Sequence, residues 1–124
     1  MLILHIARRA EWEAEQTDGF YSPANFEHEG FIHASLPEQI LGSAQKHYRG
    51  QRDLVLLGIN SRRVQAKIHF ENLVGGSQQF PHIYGKLNRD AVIGATPFEA
   101  NDEGEFSLPL LVPHWQQIAD AELP

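Results

Sequence analysis

Apolar runs alternate along the chain with polar stretches, and the period of each run assigns an element. The opening LILHI is short, unbroken and rich in branched residues, which predicts a buried first strand. RRAEWEAEQ follows with good helix formers and predicts a short helix, stopped at the turn pair Asp18-Gly19. YSPANFEHE carries Pro23 and Asn25 and predicts a loop or a weak turn of helix, after which GFIHA reads as a brief strand. Ser35-Leu36-Pro37-Glu38 matches the Ser-x-x-Glu capping box and predicts a helix through about His47 or Tyr48. Ile40, Leu41, Ala44 and Tyr48 would form its apolar face, and Pro37 is compatible with its first turn.

DLVLLGI is continuous enough to predict a strand covered on both faces, ended by the turn residues Asn60 and Ser61. QAKIHFENL alternates Ala66, Ile68 and Phe70 against Lys67, His69 and Glu71, the period of a half-buried strand. GGSQQFPHIYGK predicts a long glycine-rich loop of the kind on which binding residues gather. AVIGATPFE predicts another strand, NDEGEF a turn into a short last strand, and LPLLVPHWQQIADAELP a covering tail from 107 to 124. With no repeat or linker, residues 1–124 predict one α+β domain of small, mainly antiparallel twisted sheets with two principal helices.

Composition narrows the function. At 42% hydrophobic and 21% charged residues the chain is too apolar for intrinsic disorder. A formal charge of -6 opposes phosphate backbones and anionic lipid, so neither broad nucleic-acid binding nor membrane association is expected. The absence of cysteine removes disulfides, thiolate metal sites and thiol nucleophiles, and fits a cytoplasmic setting. MLILHIARR is apolar for only a few positions before its arginines and is read as neither a signal peptide nor a membrane span.

Of seven histidines, His5 and His33 end or interrupt apolar runs and His82 sits in FPHIYG. An imidazole between core and loop can donate, accept or titrate against a polar ligand; the plain alternative is a ring satisfied by neighbouring backbone inside the core. Ser35 is explained by the cap, and no G-x-S-x-G surrounds it; the helix start would place free N–H groups near His33, a setting suited to phosphate. Lys67, His69 and Glu71 share one strand face, either a solvated stripe or, if that face lines a cleft, one where Glu71 stabilises a developing cation or orients a hydroxyl. His69-x-Glu71 matches half of the zinc-deaminase signature, whose other half requires cysteines this chain lacks. Spacing gives no support to a metal site from His5, His33 and His82, and none is expected. His82 and Tyr84 alternate, so an imidazole to donate and a ring to stack on could face one pocket for a nicotinamide or base; otherwise Phe80 and Tyr84 anchor the loop.

LILHI, EWEAEQTDGFY, EGFIHAS with PEQI, DLVLLGIN, IHFE and FPHIYG together resemble the bacterial domain-of-unknown-function 952 family, from Leu2 to about Phe106. More distantly, LILHI, Trp12, FIHA and LVLLGIN are similar in order to motifs of the ADP-ribosyltransferase superfold, particularly the tRNA 2'-phosphotransferases that consume NAD. That resemblance implies an ADP-ribosyltransferase-like fold. It also implies that His5 holds the adenosine ribose and nicotinamide end of NAD, with His33 beside the nicotinamide or phosphate. His82 and Tyr84 have no counterpart in the transferases and are candidates from FPHIYG alone. The basic residues that would meet tRNA are not evident, and the late catalytic carboxylate falls on either Glu71 or Glu99. The expectation is an enzyme or former enzyme binding NAD or an ADP-ribose-like nucleotide, with NAD as substrate. In it His5 and His33 position the ligand, Tyr84 stacks and Glu71 supports a cationic ribosyl transition state. The rival is a non-catalytic binding or interaction module with structural histidines. Side chains of His5, His33 and His82 around one concave pocket would favour the first, and scattered, internally bonded rings the second.

Overall fold

The computed structural model describes residues 1–14, 18–73 and 75–122. Its central layer is an antiparallel sheet in the order β1-β4-β8, built from β1 (Leu2–Arg8), β4 (Leu54–Asn60) and β8 (Val92–Pro97). All seven residues of β4 are buried because this strand lies in the middle of the sheet with both faces covered, as its unbroken apolar run requires. One face, through Leu2, Leu4, Ile6, Leu54 and Leu56, packs on α3 (Ile40–His47) and α4 (Leu111–Ala121). The other, through Ile3, Ala7, Val55, Leu57 and Ile59, packs on two smaller antiparallel sheets. These pair β2 (Phe20–Tyr21) with β7 (Leu87–Asn88), and order β3 (Ile32–His33), β6 (Phe80–Tyr84) and β5 (Lys67–Glu71) with β6 in the centre. The short helices α1 (Arg9–Glu13) and α2 (Phe26–Glu29) complete an α+β architecture that has, among the described residues, four α-helices and mainly antiparallel sheets. Among the described residues no helix is long and apolar enough to cross a membrane.

Several expected elements differ. FPHIY is not a loop but the central strand β6; Pro81 lacks an N–H for the ladder, yet its carbonyl accepts from Ala34 N at 3.0 Å, so one ladder position survives the proline. The covering tail is largely the eleven-residue helix α4, whose Val112, Trp115 and Ala119 recur at helical spacing and are buried. Among the described residues no strand follows the Asn101–Gly104 turn; Phe106 stacks on Phe98 at 4.9 Å instead, and the next residues run through Pro109 into α4. The first helix closes at Glu13, and the remainder of the expected segment, residues 15–16, lies outside the described residues. Phe70, expected inward, is 41% exposed on β5, an edge strand of its sheet.

The Ser35 cap is also corrected. The helix begins at Ile40, and Ser35 Oγ pairs with Ser43 Oγ at 3.0 Å rather than with the backbone of the first turn. Gln39 takes over: its side-chain carbonyl accepts from Leu36 N at 2.9 Å while its own N–H donates to Leu36 O at 2.9 Å. Ser35 is held instead by β1, exchanging two 2.8 Å backbone bonds with Leu4. This bridge ties the β3-β6-β5 sheet to the central one.

Candidate functional site

A cleft of about 840 Å³ is lined by the ends of β1 and β3, by α3 and by residues 71–73 and 75–78. Such a volume lies inside the range typical of small-molecule sites. His5, His33 and His82 all line it, together with Glu71, Tyr21, Phe31, Ser35 and Ser43. Tyr84 and Glu99 do not, so Tyr84 is not placed to stack on a ligand there, and of Glu71 and Glu99 only Glu71 is on the wall, which Glu11 and Glu29 also line. Arg8, Lys46 and His47 add cationic or protonatable groups to the same wall.

His5 sits where β1 turns its second face toward an apolar layer, and it is only 4% exposed. Its Nδ1–H donates to the His33 carbonyl at 2.6 Å. A carbonyl only accepts, so this bond fixes the tautomer and leaves Nε2 to accept from the Tyr21 hydroxyl at 2.9 Å. Burial lowers the His5 pKa to about 4, against a partial upward pull from the backbone bond, and burial likewise pushes the Tyr21 phenol up. The ring is neutral at physiological pH, with both nitrogens engaged inside the fold. The direct contact between His5 and a ligand's ribose, expected from sequence, would require breaking one of these bonds; the ring instead anchors the backbone of His33.

His33, His82 and His69 form a row across three strands, because β3, β6 and β5 pair in the register His33↔His82↔His69. The opposite face of the same row carries Ile32, Ile83 and Ile68, which turn toward the core. Strand alternation therefore places the imidazoles together on the outer side. His33 has a side chain 57% exposed, lies 3.9 Å from the Glu29 carboxylate, and meets the His82 ring edge-on at 5.1 Å. Partial burial and then the neighbouring His82 lower its pKa, with Glu29 pulling the other way.

His82 is held on three sides. Phe31 stacks on it at 4.4 Å with a 21° interplanar angle, His33 abuts it, and Glu71 Oε1 accepts from Nδ1 at 2.9 Å. The Tyr84 hydroxyl donates to the same carboxylate oxygen, and the Tyr84 ring also contacts His69 and Phe31 at 5.2 Å each. Those two hydrogen bonds, Tyr84 first and His82 second, hold the Glu71 carboxyl below its usual range, and the phenol is raised in return. Phe31, invisible as a site residue in the sequence reading, is the central ring of this cluster. Only its position two residues before His33, on the same strand face, hinted at it. Among the described residues no group of three His, Asp or Glu side chains is arranged to hold a metal ion.

The crystal structure of protein CC0527 from Caulobacter crescentus is similar at a TM-score of 0.77 and 32% identity, covering 94% of this chain and 99% of that one. A double mutant of the same protein gives 0.76 at 32%, and its solution NMR structure 0.71 at 34%, the latter covering 91% of this chain and 95% of that one. No curated protein matches. The family model described as protein of unknown function (DUF952) matches residues 6–95, and the chain belongs to that family.

Proposed function

We propose that the cleft binds NAD or an ADP-ribose-like nucleotide, and that the fold is a distant relative of the ADP-ribosyltransferase superfold acting in ADP-ribose transfer. The observation that supports this best is the convergence of His33, His82 and the low-pKa Glu71 on one wall of a ligand-sized cleft that also carries Arg8, Lys46 and His47. In this reading the cationic side chains meet the pyrophosphate, and the half-exposed His33 contacts ribose or phosphate. The ionised Glu71 stabilises the positive charge that grows on the ribosyl carbon as nicotinamide departs. His5 serves by fixing the His33 backbone, and Tyr84 by keeping Glu71 ionised. The motif order shared with the NAD-consuming phosphotransferases points the same way.

The second reading, a non-catalytic interaction module, draws on His5, whose ring is wholly engaged within the fold. Calorimetric titration with NAD and with ADP-ribose separates the two. The nucleotide reading expects binding heat with at least one ligand, weakened tenfold or more by His33→Ala. Absence of heat with both ligands in the folded parent protein sinks it.

A further inference from the structure

Both nitrogens of His5 have partners, whereas only Nδ1 of His82 does: no hydrogen bond reaches its Nε2 among the described residues. Arg89 Nε is the one polar side-chain atom of that set both sealed from solvent and unpartnered, so Nε2 of His82, a cleft-lining residue, retains access to the cleft. A carboxylate cannot donate, so its bond to Nδ1 requires the proton there, and in the neutral ring Nε2 carries a lone pair. Phe31 on the ring face and His33 at its side prevent the ring from turning. An oriented imidazole with a carboxylate behind it and a free basic nitrogen in front is the arrangement of a general base.

We propose that His82 is the base of the reaction and that the group it activates is a hydroxyl, either water or an alcohol; this rests on the nucleotide reading above. The bond between the ribosyl carbon and nicotinamide breaks, and its electron pair returns to the nicotinamide ring nitrogen, neutralising the pyridinium. The acceptor oxygen bonds to the same carbon, and its proton passes to Nε2 of His82, later to leave to solvent. Nothing is oxidised or reduced. Glu71 stays ionised throughout and stabilises the imidazolium, while Tyr84 positions Glu71. A hydroxyl acceptor suits a neutral imidazole, because that base must remove a proton the attacking oxygen loses only as it bonds. The groups facing His82 are Glu71 and His69 from β5, Tyr84 from β6, and His33 from β3 with Glu29 behind it.

The test is nicotinamide release from NAD, with water as the acceptor, measured against pH beside calorimetric NAD binding on the same preparations. The parent should bind NAD and release nicotinamide with a rate that rises with pH along a single ionisation. His82→Gln should keep NAD affinity within about threefold, lose at least 100-fold in rate and lose the rising limb. Glu71→Gln should also lower the rate, since the ring loses the carboxylate that fixes its proton on Nδ1. Glu99→Gln, outside the cleft, should leave both rate and limb unchanged. NAD binding by the parent without release at any pH overturns the assignment of His82 but leaves the nucleotide reading standing, as does a His82→Gln protein with undiminished rate. Absence of NAD and ADP-ribose binding instead defeats the reading beneath it.

Discussion

His5 and His82 are both 4% exposed, both on strands and both fixed by their Nδ1–H, yet the structure uses them in opposite ways. His5 donates to a neutral carbonyl and accepts from a phenol, a closed chain that joins β1, β2 and β3. His82 donates to a carboxylate that is itself supported by Tyr84, and its other nitrogen has no partner among the described residues. The difference lies in what answers each ring. At His5 the carbonyl pulls the pKa up, but burial outweighs it and holds the ring neutral with both nitrogens engaged; at His82 a carboxylate answers Nδ1 alone. Burial therefore says little about role by itself; the charge of the partner and the number of engaged nitrogens say more.

The largest effect should come from opening the closed chain. His5→Ala leaves a cavity in the apolar layer and strips the Tyr21 hydroxyl and the His33 carbonyl of their partner, at a cost of about 3 kcal/mol and a fall in Tm of roughly 10 °C. Thermal unfolding checks this, and a shift under 3 °C would make the contrast between the two histidines empty. The same chain predicts a pH dependence. The His5 pKa is about 4 in the folded protein against 6.5 ordinarily, so between those values the unfolded chain binds the proton and the folded one does not. Stability is thus full above about pH 6.5 and falls as the pH drops toward 4, by up to about 3 kcal/mol. His33 is shifted in the same direction but is half-exposed and adds less. Denaturant melts at pH 7.5 and 4.5 should show the loss, and His5→Phe should flatten most of it.

Much of this was legible in the sequence, and the misses share a cause. LILHI and DLVLLGI announced buried strands because sheets covered on both faces admit no polar alternation. GFIHA and KIHFE placed His33 and Glu71 on strands correctly. FPHIY reads locally as a loop because Pro81 and the preceding glycines weigh against a strand, and only the pairing of its neighbours on both sides overrides that preference. The row of three histidines depends on the register between strands far apart in sequence, which no local pattern encodes. Ser35 fitted a capping motif that the chain does not use, because the Leu4 backbone captured its main chain and the Ser43 hydroxyl its side chain. The helix over 111–121 was hidden by Pro109 and Pro113, and its packing is tertiary: Trp115 lies over paired Gly58 and Gly94, where an added Cβ would come within 2.5 and 2.6 Å of the indole.

Removing one bond rather than the whole ring should give a smaller effect. Tyr21→Phe keeps the aromatic packing against Trp12 and His5 but takes the donor from His5 Nε2, leaving a buried acceptor unsatisfied at about 1–2 kcal/mol. Chemical denaturation should find a loss between those of His5→Ala and of the cleft variants, with the slope against denaturant unchanged. A loss as large as that of His5→Ala would mean that the phenol, not the imidazole, organises the joint.

The smallest stability effect, and the most informative one, belongs to Tyr84→Phe. The hydroxyl sits on an exposed residue and, among the described residues, bonds only to Glu71, so Tm should stay within measurement scatter of the parent. Its loss removes the largest influence lowering the Glu71 pKa, and the carboxyl should titrate at higher pH, readable as a displaced Glu71 side-chain resonance in an NMR titration. The His5 chain should not register the change, because no hydrogen bond connects Tyr84 to His5, Tyr21 or the His33 carbonyl. An unchanged melt with a displaced Glu71 titration would show that the cleft carboxylate is tuned independently of stability, as a group adapted to chemistry should be. A drop in Tm matching that of Tyr21→Phe would instead place Tyr84, Glu71 and His82 in the structural scaffold alongside His5, and would erase the distinction between the two histidines.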